Sequence, residues 1–177
     1  LWADEREIPE IQIDFDCPDR LLARYAEFLA SLRAALAPTK ISITALASWP
    51  RHSQFKQLAS SVSSMAPMFY DLHADQATDV KSSRFHPIAN AADVEFIRLW
   101  TDCPVPWLAG LPNFERLSLF KEDGTLSGHL RGWNHDELFF NRNLIAQSLG
   151  KGTTTYRIDS PTSVAGSPLP DGSRLIH

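Results

Sequence analysis

Positive charge is not in excess in this sequence: 17 lysines and arginines stand against 21 aspartates and glutamates, giving a formal net charge of −4. That balance speaks against nucleic acid or an anionic membrane surface as a partner recruited by charge. Neutral or weakly polar ligands stay open. Long apolar runs are missing too. The longest are of strand length and broken by polar residues, well short of the ~20 residues that cross a bilayer. No membrane span is expected. Only two cysteines are present, Cys17 and Cys103, each followed by proline. They form neither a redox pair nor a zinc spacing and read as ordinary thiols. No basic start followed by an apolar run marks a secretory leader. The chain begins at Leu1 rather than Met, so it is expected to be a fragment of a larger protein, and compartment and oligomeric state are not legible.

What is present suffices for a core. With 44% hydrophobic and 10% aromatic residues among 177, one sizeable domain is expected. Ile11, Ile13 and Phe15 alternate with Gln12, Asp14 and Asp16, the period of a strand with one apolar and one polar face. From Arg20 to Leu36 the apolar residues recur at helical spacing, with Asp19 placed to cap the first turn. A second strand is expected over Lys40 to Leu46, a short helix around Ser53 to Ser63, and a third strand over Met68 to His73. Strand starts slightly under 30 residues apart suit βαβ units and parallel neighbours.

Further on, Ala74 to Pro87 reads as a polar loop, Asn90 to Trp100 as a third helix capped by Asn90, and Pro106 to Leu111 as a short fourth strand. The Asp123-Gly124 turn between two strand-like runs predicts a β-hairpin. Asp136 to Leu149 reads as a helix and Thr153 to Ile158 as a strand. The fold expected is α/β, a partial (β/α) barrel of TIM type with a β-hairpin excursion, over residues 1–158. Residues 159–177, rich in Pro, Gly and Ser, are expected to be poorly ordered and to contribute little to stability.

One place suggests chemistry. A strand rise of about 3.3 Å per residue puts the Cα atoms of Asp14 and Asp16 roughly 7 Å apart on one face. They end the strand, where parallel α/β folds form ligand sites. Repulsion between neighbouring carboxylates favours keeping a proton on one of them, which suits general-acid work. The same parity places Thr44 on the second strand, and Asp71 and His73 on the third, beside Gln12, Asp14 and Asp16. A polar pocket follows, with Asp14 and Asp16 as catalytic candidates. Trp49 and Trp107, near strand ends, are candidate stacking partners for a ligand, whereas Tyr70 is expected to point toward the helices. His129, His135 and Asp136 match no recognised metal spacing. No metal and no cofactor are expected.

The runs IQIDFDCP, LLARYAEFLASLRAAL, ITALASW and MFYDLHAD, followed by PWLAGLPNFERLSLFKEDGTLSG, together resemble the bacterial family catalogued as domain of unknown function 3142. The resemblance covers roughly Ile8 to Leu130. It implies a barrel akin to glycoside hydrolases and a carbohydrate ligand. A second resemblance is to the chitinase-type family 18 glycosidases, whose fourth strand carries D-x-D-x-E. Aligned on that pattern, Gln12 stands at the first acid, Asp14 at the middle one and Asp16 at the glutamate. Two readings stay open: hydrolysis of a glycosidic bond by the aspartate pair, or a non-catalytic carbohydrate- or peptidoglycan-binding module. A scaffold without a ligand is the third.

Overall fold

The structure, a computed structural model, describes residues 8–82, 85–89, 93–150 and 153–177. In chain order its elements begin with β1 (Glu10–Ile13), α1 (Leu22–Ala35), β2 (Lys40–Leu46), α2 (Phe55–Ser60), β3 (Ser64–Met68), α3 (Ala77–Lys81) and α4 (Val94–Leu99). There follow β4 (Leu117–Phe120), β5 (Leu126–Leu130), α5 (His135–Phe140), β6 (Leu144–Gly150), β7 (Thr153–Ile158), β8 (Thr162–Val164), β9 (Ser167–Leu169) and β10 (Arg174–Ile176). The chain forms two compact units. One runs up to Leu72 and adds Ala89–Pro112; the other is His73–Ile88 with Asn113–His177.

In the first unit β1, β2 and β3 form a parallel sheet in that order. The helices α1 and α2 connect the strands, as parallel neighbours require a crossover rather than a tight turn. Ile41, Ile43 and Ala45 of β2 pack against Leu22, Tyr25, Ala26 and Leu29 of α1 and against Phe55, Leu58 and Ala59 of α2. Burying a side chain such as Leu29 or Leu58 contributes about 1.5–3 kcal/mol. Asp19 does not cap α1. It opens a 3-10 turn, Asp19–Leu21, and its carboxylate instead faces His52 Nε2 at 3.3 Å.

The expected fourth strand is reduced to parallel bridges from Trp107 to Met65 and from Gly110 to Met68. Gly110 donates to the Pro67 carbonyl at 2.8 Å, and a Cβ there would stand 3.2 Å from that oxygen. Glycine therefore permits the close approach. The helix expected over Asn90 to Trp100 is α4, held by the Arg51 guanidinium 4.6 Å from the Phe96 ring centroid and by the buried Trp100 Nε1, which donates to the Ala47 carbonyl at 3.0 Å. The expected cap at Asn90 lies outside the described residues.

The second unit is an antiparallel sheet of order β5-β4-β10-β7-β6 beside the small β8-β9 ribbon. The hairpin at Asp123-Gly124 is β4–β5, with Gly124 at φ 85°. It is part of this sheet rather than an excursion from a parallel one.

The expected partial TIM-type barrel is thus incorrect: there are three separate sheets, and no closed barrel exists among the described residues. The physical reason lies in the connections. After β3 the regular strand-helix alternation ends, and β4–β5, β6–β7 and β8–β9 are joined by links too short for a crossover, so they pair antiparallel. Two local expectations fail with it. The helix expected over Asp136 to Leu149 stops at Phe140, and Leu144–Gly150 is a strand on β7. Residues 159–177 carry β8, β9 and β10; β10 sits centrally between β4 and β7. No helix among the described residues is long and apolar enough to cross a membrane.

Candidate functional site

The sheet register fixes which side chains share a face. Gln12 lies beside Ser42, and Thr44 beside Ala66, so the polar positions of β1 and β2 fall on one side, opposite Ile41, Ile43 and Ala45. β3 ends at Met68, five residues before the expected end at His73. Its buried positions are Met65 and Pro67, continuing to Phe69, while Ala66, Met68 and Tyr70 are half-buried on the other parity. Tyr70 therefore turns to the side of Asp14, not toward the helices.

At the C-terminal ends of these strands lies a cleft of about 560 Å³ lined by Asp14, Asp16, Thr44, Ser48, Tyr70 and Asp71, with Leu46, Met68, Leu72 and Phe96 as apolar wall. Thr44 Oγ1 donates to Asp14 Oδ1 at 2.7 Å, which orients that carboxylate and leaves its other oxygen for a ligand. Beyond β1 the backbone turns sharply, the Cys17 amide donating to the Phe15 carbonyl at 2.9 Å, and carries Asp16 to the same cleft. Asp71 has φ 55°. Aspartate tolerates this left-handed conformation better than most residues, and such backbone strain is concentrated at functional sites. Partial burial pushes the Tyr70 phenol up, and the charges of Asp14, Asp16 and Asp71 push it further the same way. Those three carboxylates thus act on one hydroxyl.

The sequence-expected residues divide. Asp14, Asp16, Thr44 and Asp71 line the one cleft; Gln12 and Trp107 are not in its lining. Trp107 packs edge-on to Phe69 at 5.9 Å on the flank of the core. Trp49 is 0% exposed, edge-on to Tyr25 at 6.3 Å, and so is a core residue rather than a stacking platform. His73 belongs to the second unit, where its ring lies 5.0 Å from His86. Ser48, Tyr70 and Phe96 were not among the expected ligand contacts. The signal for Tyr70 was its parity with Ser64, available once β3 is started four residues earlier.

No curated protein matches this chain. Among solved structures it resembles a candidate sporulation-specific glycosylase, ydhD, from Bacillus subtilis, with a TM-score of 0.55 and 17% identity over 95% of this chain and 56% of that one. At that identity the likeness is one of fold, and the chain spans about half the length of that neighbour. It also matches chitinase ChiW from Paenibacillus sp. str. FPU-7 at a TM-score of 0.46 and 11% identity, over 95% of this chain and 18% of that one. The profile of the family described as Domain of unknown function (DUF3142) matches residues 2–118, and the chain belongs to that family.

Proposed function

We propose that the first unit binds a carbohydrate in the cleft at the ends of β1, β2 and β3 and acts on a glycosidic bond there, in the manner of glycoside hydrolases. The observation that carries this reading is the convergence of Asp14, Asp16 and Asp71 with Tyr70, Thr44 and Ser48 on one open cleft with an apolar wall. Sugars present hydroxyls along their edges and C–H surfaces on their faces, so such a mixed lining suits them. The fold likeness to a glycosylase supports the same ligand class. In this reading Asp16 donates the proton to the leaving oxygen, and Asp14, fixed by Thr44, stabilises the reacting sugar.

A binding module without turnover is the second reading, favoured by one feature. Asp16 is exposed, whereas the proton donor of a glycosidase is commonly held in apolar surroundings.

Substitution separates the two. Asp16→Asn should abolish release of product from an oligosaccharide panel while leaving binding largely intact, because the amide keeps the shape but carries no transferable proton. Asp14→Asn should also slow turnover. A wild type that binds glycans without releasing product, with both variants altering affinity alone, supports the module. If the wild type neither binds nor cleaves any member of the panel, the carbohydrate reading fails.

A further inference from the structure

The second unit brings together three side chains that the sequence keeps far apart. Glu115 lies just before β4, His135 opens α5, and His177 follows β10. His135 Nε2 stands 3.0 Å from Glu115 Oε2, and His177 Nε2 stands 3.6 Å from the same oxygen. One ligand-type atom from each residue lies within 4.8 Å of the other two. We propose that this triad is a binding site for one divalent cation of the zinc class.

The geometry argues for it in three ways. Zinc held at 2.0–2.2 Å by nitrogen and carboxylate oxygen in a tetrahedron keeps its ligand atoms about 3.3 Å apart. The two separations to Glu115 Oε2 bracket that value, and the ligand atoms of all three residues lie within 4.8 Å of one another. The donor set also fits: imidazole suits zinc and its transition-metal neighbours, whereas magnesium and calcium prefer all-oxygen shells. Three protein ligands leave a fourth position for water or a ligand.

The third argument is that the ligands are held. The His177 amide donates to the Thr154 carbonyl at 2.8 Å, and the Thr154 amide returns a bond to the His177 carbonyl at 2.7 Å. His135 sits at the start of a helix whose Asn134 cap accepts from the Glu137 amide at 2.9 Å. The Trp133 ring packs edge-on to both imidazoles, at 5.3 Å from His135 and 4.9 Å from His177. An indole wall on one side thus packs against both rings and helps to orient them. A bound cation would tie β4, α5 and β10 together.

The triad differs from the pairing of His135 with Asp136 or His129 that chain neighbourhood suggests. Direct pairing of the histidines with Glu115, by a hydrogen bond in the case of His135, is the competing explanation for the contacts, and it requires no metal.

Calorimetric titration of the metal-stripped full chain with zinc chloride, with magnesium chloride as control, distinguishes them. The expected result is one zinc per chain, no comparable magnesium binding, and a thermal midpoint raised by zinc and returned by a chelator. His135→Ala and Glu115→Gln, both at exposed side chains, should each weaken zinc by about tenfold or more, since even residues supporting a metal ligand cost 10–100-fold. His73→Ala with His86→Ala, removing the other histidine pair of the unit, should leave zinc affinity unchanged. Absence of zinc binding by the folded wild type, or binding that survives both triad substitutions, or binding lost with His73 and His86, would overturn the proposal.

Discussion

Ending the chain at Ser173, which removes β10 and His177, should abolish the cooperative unfolding of the second unit. β10 is only three residues long, but it is the central strand, paired with Ser118–Phe120 on one side and Thr155–Arg157 on the other. Without it the β4–β5 and β6–β7 hairpins lose the ladder that makes them one sheet. An isolated hairpin is marginal in water. Leu175 is fully buried in the cluster of Leu117, Leu119, Leu144 and Ile158, and Ile176 packs on Val80 and Phe120. Arg174 also donates to the Val80 carbonyl at 3.0 Å, tying α3 to the strand. Losing the Leu and Ile side chains costs about 2–5 kcal/mol each, comparable together to the 5–15 kcal/mol that holds a typical domain. Thermal unfolding followed by circular dichroism should show the transition lost or shifted far down, and Leu175→Ala alone should lower stability by about 2–5 kcal/mol. A truncated chain with the midpoint of the full one would contradict the central placement of β10.

The second large effect is expected at Trp49. Its indole is 0% exposed and lies against Tyr25, whose phenol, also buried, is pushed up to about 12, chiefly by burial and then by the charges of Cys17 and Asp14. Trp49→Ala should destabilise the first unit by about 3–5 kcal/mol, the cost of deleting a large buried ring. Trp49→Phe should cost much less than Trp49→Ala. It retains most of the ring packing and removes an indole N–H that has no hydrogen-bond partner among the described residues, a group that costs about 1–3 kcal/mol when left buried and unpaired. Chemical denaturation measures both. If Trp49→Ala left stability unchanged and weakened only glycan binding, Trp49 would be a ligand platform after all.

The part of the site next to β1 and β2 is the more legible in the sequence. Alternation over Ile11–Ile13 and Lys40–Leu46 sets the polar face that carries Thr44, because local periodicity and parallel register agree there. Asp14 and Asp16 lie beyond the end of β1, and a turn rather than strand parity brings Asp16 to the cleft. Two features of the sequence point to a later start for the third strand than the observed Ser64. Pro67 counts against a strand, and the aromatic pair Phe69-Tyr70 draws the assignment downstream. With β3 over Ser64–Met68, Ser64 pairs with Ser42 and Ala66 with Thr44, so the even-numbered positions share the polar face; Tyr70 continues that row beside the aspartates, and His73 falls past the end of the sheet.

Long-range pairing explains the other differences. Leu144–Gly150 has a spacing compatible with helix or strand, and its antiparallel partner Thr153–Ile158 decides between them. Arg174–Ile176 is too short to show a period, and its place is set by β4 and β7. The Glu115, His135 and His177 cluster has no local signature either, since each member comes from a separate element. The alternation of the first three strands, extended along the chain, predicts a barrel, but the following half is built on tight turns and pairs antiparallel.

The most direct test of the carbohydrate cleft is a titration of the isotopically labelled full chain with soluble chitin- and peptidoglycan-derived oligosaccharides, followed through backbone amide shifts. The account predicts saturable shifts concentrated at Asp14, Asp16, Ser48, Tyr70 and Asp71, the residues around the cleft, and weakened by Asp14→Asn. No shift at any tested concentration, or shifts that saturate elsewhere in the chain and leave these five amides unmoved, would contradict it.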